Sequence, residues 1–195
     1  MNLIDIQCIQ ICNTSKLYGY VVLANYKKGQ YYDCYYYLSK MEKVMSYTLE
    51  HEDDPELKLW YGDLFMYHLC RGNMYLYEEK FDEAEEAFGQ ARVYLELIPG
   101  DRYYADVEYA IFASALYDKL NKQEEKMKIL QEAYDNCCAR HHKERAERIK
   151  ACMEGREYVV VSDYAREPLP TKAIIDMCEF VGAMGQIEDR DKDVN

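Results

Sequence analysis

The sequence predicts an all-α fold made of repeated helical hairpins, and three observations carry that prediction. The first is the stretch "GQYYDCYYYLSKM", Gly29 to Met41, where five tyrosines fall within seven residues. Tyrosine favours strands, but Cys34, Leu38, Met41 and Met45 recur at spacings of four, three and four. That apolar stripe belongs to a helix and outruns an ordinary strand. The second observation is that the pattern returns. Phe81, Ala84, Phe88 and Ala91 correspond to Tyr31, Cys34, Leu38 and Met41, and a degenerate third copy reads Gln123, Lys126, Leu130 and Ala133. The third lies upstream. Seven residues before Gly29, Glu79 and Asn121 stand Val22, Gly72 and Ser114, and four before them stand Asn25, Tyr75 and Tyr117. Small residues admit close helix crossings and aromatics fill wider gaps. Internal repeats of this kind mean a helical array, or α-solenoid.

Taken in order, residues 3–12 place Ile4, Cys8 and Ile11 on one helical face and predict a capping helix. Ser15 can cap a second helix running to about Lys28, and Gly29 ends it. The tyrosine helix continues to about Thr48. Asp54 and Pro55 then open a helix that reaches about Glu78, and the next spans Phe81 to Ile98. Pro99–Gly100 is a stop, with Asp101 a cap beyond it. A last patterned helix begins near Gln123 and extends to Cys138 or as far as Met153. These elements make a repeat domain over 1–154: about three helix pairs turning near 29, 79 and 121. A C-terminal extension follows over 155–187, with "EYVVVSDY" extended and "PLPTKAIIDMCEFVGAMG" containing a short helix. Residues 188–195 form a charged tail, expected to be disordered.

Composition narrows the function. A net charge of −12 repels a phosphate backbone, which argues against nucleic-acid binding. No run approaches the roughly 18 apolar residues of a membrane span, and "MNLIDIQCIQIC" lacks the basic start of a signal peptide. A cytoplasmic protein is expected. Its eight scattered cysteines read as free thiols that pack as small apolar groups.

The strongest metal candidate is "CCARHH". On a continuous helix Cys137–His141 and Cys138–His142 would each stack four apart, with Cys152 or Cys178 to complete a zinc site. The two pairs point about 100° apart, and no CxxC accompanies them, so the expectation is one buried and one solvated face and no metal. His51, His68, His141 and His142 sit in no recognisable catalytic setting, and no glycine-rich phosphate loop is present. The sequence therefore predicts no enzyme and no cofactor. His68, in mid-helix, reads as a packing histidine.

Gly72, Tyr75, Phe81, Ala84, Phe88 and Ala91, followed by Pro99, resemble the tetratricopeptide repeat (TPR) family, with weaker likeness in the flanking copies. The resemblance spans roughly residues 15–140, in repeats longer than the family's usual length of about 34 residues. It implies a non-catalytic scaffold or adaptor that binds a protein or peptide in a groove. The alternatives are a peptide-sensing regulator or a subunit of a larger complex. Groove positions implied by the alignment are Lys16, Gly19, Leu23 and Tyr26; Met66, Leu69, Asn73, Leu76 and Tyr77; and Glu108, Ile111 and Ala115. Only Asn73 fits the clamp that some family members use for acidic tails. The implied groove is apolar and aromatic, suited to an apolar or amphipathic segment, unless the chain's own C-terminal helix fills it. Tyr32 and Tyr36 lie opposite the Cys34–Leu38–Met41 stripe. They are expected at an interface, with a partner or with a second copy in a homodimer.

Overall fold

The structure is a computed structural model that describes residues 3–51, 60–100 and 103–156, with side chains omitted for 3–13, 103 and 104. All regular structure among these residues is helical. The helices are α1 (Leu3–Lys27), α2 (Tyr31–Val44), α3 (Ser46–Glu50), α4 (Tyr61–Tyr77), α5 (Phe81–Leu97), α6 (Tyr103–Lys119), α7 (Gln123–Ala139) and α8 (Lys143–Met153). The chain divides into two compact units, the first through Asp63 and the second from Leu64.

One turn geometry recurs at five helix ends. Gly29, Glu79, Asn121, His141 and Gly155 all adopt the left-handed conformation, with φ of 70°, 59°, 55°, 60° and 63°. Each donates its N–H to the carbonyl three residues back (Tyr26, Leu76, Asp118, Cys138, Cys152) at 3.0–3.2 Å. The next N–H reaches the carbonyl five back (Asn25, Tyr75, Tyr117, Cys137, Ala151) at 2.8–2.9 Å. This is the Schellman closure, which satisfies carbonyls left over at a helix end. After the first four turns a single residue leads into the next helix: Gln30, Lys80, Lys122 or His142, with φ between −84° and −92° and ψ between 64° and 77°. None of the four uses a side-chain cap.

In the first unit, α1 and α2 form a hairpin whose buried side chains include Tyr18, Val22, Cys34, Leu38, Met41 and Met45. The Cys34 thiol donates to the carbonyls of Val22 and Gln30, each at 3.4 Å. Tyr37 stacks on Tyr18 across the hairpin, ring centres 6.3 Å apart. Two details differ from expectation. Ser15 caps nothing, because α1 runs unbroken from Leu3 to Lys27. Its hydroxyl is buried and donates to the carboxylate of fully buried Asp63, whose second oxygen is 3.6 Å from the Lys16 ammonium. The tyrosine helix breaks at Met45, where α2 ends and α3 begins.

In the second unit, α4 and α5 cross closely at Gly72. A Cβ there would lie 3.0 Å from the Phe88 ring, so glycine sets the approach distance. One turn earlier the His68 ring stacks on Tyr94 at 5.5 Å. Helices α6, α7 and α8 share a core of Val107, Ala110, Leu130, Ala133, Cys137, Ala146 and Ile149. Buried Glu108 on α6 accepts a two-pronged pair from Arg148 on α8, at 2.5 and 3.2 Å.

The helix from Gln123 does not reach Met153 in one piece. It stops at Ala139 and restarts at Lys143 around the left-handed His141. Among the described residues no helix is long and apolar enough to cross a membrane. Asp54, Pro55, Asp101, the "EYVVVSDY" segment, the following helix and the tail lie outside the described residues.

Candidate functional site

The predicted partner-binding residues fall into three surroundings. Five are buried: Leu23 on α1, and Met66, Leu69, Asn73 and Leu76 on α4. Tyr26 and Ile111 are half-buried. Tyr26 meets Tyr31 edge-on across the Gly29 turn at 5.6 Å, and Ile111 leans on the α6–α8 core. Tyr32, Tyr36 and Tyr77 are exposed, Tyr32 by 86%. A partner can touch the buried five only if they become uncovered.

The spacing of the α4 residues places them on one face. Met66, Leu69, Asn73 and Leu76 follow one another at three, four and three residues, one stripe of a helix. Asn73 is the polar member of that stripe and is wholly buried. Its side-chain N–H donates to the Leu69 carbonyl at 2.8 Å. Its Oδ1 receives no hydrogen bond among the described residues. Buried polar atoms in native proteins are almost always satisfied, so this acceptor sets Asn73 apart within an otherwise apolar stripe.

Two more of the positions implied by the resemblance make ion pairs within the fold. Lys16 faces Asp63, and Glu108 is held by Arg148. Neither pair could be inferred from helical periodicity, because each joins residues distant in sequence.

The second unit contains a small cleft of about 50 Å³ lined by Arg92, Asp106, Tyr109, Ala110, Ile129, Glu132, Ala133 and Asn136. Arg92 pairs with Glu96 at 2.9 Å, approaches Glu132 at 3.8 Å and lies over the Tyr109 ring. Burial pushes the Tyr109 hydroxyl up to about 12. The cleft has room for a few waters, against the roughly 300 Å³ or more of a typical small-molecule site.

The cysteine–histidine cluster is not arranged as a continuous helix would place it. Cys137 is buried and Cys138 exposed on the last turn of α7, while His141 sits in the turn and His142 opens α8. The stacked pairs expected from the sequence are therefore lost, because the helix ends between their members. Among the described residues no group of three or more His, Cys, Asp or Glu is placed to hold a metal ion. Comparison with family models, curated proteins and solved structures returns no match.

Proposed function

We propose that this chain is a non-catalytic scaffold or adaptor, a TPR-like array of helical hairpins that binds a protein or peptide segment. The observation that carries this reading is Asn73. An extended peptide offers a row of backbone N–H donors, and one of them would complete the empty Oδ1 while apolar side chains meet Met66, Leu69 and Leu76. The ligand that fits is thus an apolar or amphipathic segment, taken up as the α4 stripe is uncovered. The recurring Schellman turns and the close crossing at Gly72 support a repeat architecture.

The test starts with cross-linked capture from the native host, followed by calorimetric titration of the purified partner segment. Asn73→Leu, which keeps the shape and removes the acceptor, is expected to weaken binding by about two- to tenfold, the worth of one buried hydrogen bond. Unchanged affinity in that variant would remove Asn73 from the site and with it this reading of the α4 face.

A further inference from the structure

The solvent face of α2 is unlike the rest of this acidic chain. Its exposed positions are Tyr32, Tyr35, Tyr36, Ser39 and Lys43, with no carboxylate among them, in a protein of net charge −12; Asp33, Lys40 and Glu42 are half-buried. Tyr32, Tyr36, Lys40 and Lys43 form one row on α2, and Tyr47 on α3 follows four residues further on, across the break. Tyr36 is 50% and Tyr47 64% exposed, and the Lys40 ammonium lies 5.5 Å from the centre of the Tyr36 ring. Large exposed tyrosine area is characteristic of interface cores, and the flanking lysines suit the charged rim around one.

A complementary row lies on α5. Reading backwards from its C-terminus, Leu97, Val93, Gly89, Glu86 and Asp82 are all exposed. Leu97 and Val93 expose 47% and 52% of their surface, and a Cβ on Gly89 would meet nothing within 4 Å. Glycine in an exposed mid-helix position weakens the helix but lets another helix come close.

The two rows have the same spacing, with steps of four, four, three and four residues, when the helices run antiparallel. In that register Tyr32 meets Leu97 and Tyr36 meets Val93. The Lys40 stem crosses the Gly89 notch, Lys43 pairs with Glu86, and the Tyr47 hydroxyl donates to Asp82. Apolar meets apolar at one end and cation meets anion at the other.

We infer that the chain self-associates by docking α2 of one copy, antiparallel, on α5 of a second copy. The contact joins two different surfaces, so it is heterologous. Net charge opposes association at long range. At about 0.15 M salt the screening length is about 8 Å, so the repulsion is damped while pairs in contact persist.

The experiment is sedimentation equilibrium of the full chain at that salt, from micromolar to millimolar. Wild type should show a mass of at least twice 23.1 kDa at the upper end. Lys43→Glu, Glu86→Lys and Tyr36→Ser should each weaken association by about tenfold or more with unchanged helix content. The double variant Lys43→Glu/Glu86→Lys should regain it, because the pair is re-formed with reversed sign. A wild type that stays monomeric at millimolar concentration overturns the proposal, even if α2 then captures some other acidic protein. So does a double variant no better than the single ones.

Discussion

Replacing Asn73 by leucine should make the protein more stable, and the size of the gain can be worked from its surroundings. A buried carbonyl oxygen with no donor costs about 1–3 kcal/mol, and Oδ1 of Asn73 is such an atom among the described residues. The variant also loses the 2.8 Å bond from the side-chain N–H to Leu69. That loss is small, because the Leu69 carbonyl lies four residues before Asn73 inside α4 and keeps its helical partner. Leucine and asparagine share the same branched outline, so the stripe of Met66, Leu69 and Leu76 closes over it with little strain. The net gain is about 1–2 kcal/mol. For a chain of this length each kcal/mol moves the midpoint by about 2–4 °C, which gives a rise of about 2–8 °C. Thermal and urea unfolding followed by circular dichroism would measure it, with Asn73→Ala as the control. Alanine removes the same unmet atom but leaves a hole, so it should gain less than leucine. A fall of more than about 1 kcal/mol in the leucine variant would refute the reasoning, since it would mean that Oδ1 makes a bond worth keeping. A variant that is stabilised yet binds worse is the mark of a residue retained for function.

Three further outcomes follow from the geometry. Gly72→Leu should lose about 1–3 kcal/mol in denaturant titration, because its Cβ alone would press within 3.0 Å of the Phe88 ring. Glu79→Gly and His141→Gly should each gain about 0.5–1 kcal/mol, since left-handed backbone costs a non-glycine residue about 1–2 kcal/mol and glycine's extra entropy returns part of that; Asn121→Gly, starting from a residue that tolerates the conformation, should gain less. Stability should also fall as pH rises. Burial raises the Cys34 thiol from 9.0 to about 11 and the Tyr26 and Tyr109 hydroxyls from 10.0 to about 12. The unfolded chain therefore releases these protons first, and the stability they confer, complete below pH 9, is lost progressively through about pH 12. Phenolate absorbance together with urea midpoints across that range would detect it; midpoints that stay flat would contradict it.

The helical class was legible because apolar spacing is a local property. Cys34, Leu38 and Met41 are buried where the stripe puts them, and Tyr32 stands in solvent on the opposite side. What escaped the sequence depends on contacts between distant residues or on backbone conformation. Ser15 looked like a helix cap because serine before an apolar run usually is one. In the fold it meets Asp63, 48 residues on. Glu108 looked like a groove residue, but it is neutralised by Arg148, 40 residues on. Asn73 could be placed on a face from its spacing, yet its missing hydrogen bond is visible only once everything around it is in position. The break at His141 was left open, with the helix ending at Cys138 or running on to Met153, for a different reason. Neither glycine nor proline interrupts the run from Gln123 to Met153, and histidine, though it enters the left-handed region more often than most residues, marks a turn far less clearly than glycine does.

The same left-handed closure recurs at helix ends that carry different residue types. The recurring unit is a pair of backbone hydrogen bonds closing each helix, and its one steric demand is a residue in left-handed conformation. Glycine meets the demand freely at positions 29 and 155. Glutamate, asparagine and histidine meet it at 79, 121 and 141 at a cost the flanking helices can absorb. Val22, Gly72 and Ser114, each seven residues before such a turn, are all buried, and at Gly72 a Cβ would lie 3.0 Å from the Phe88 ring. In the stretch from Gln123 only half of the sequence pattern is buried. Leu130 and Ala133 stay in the core, whereas Gln123 is exposed and Lys126 only partly covered, because the α6–α8 core is completed from α8 by Ala146 and Ile149 instead.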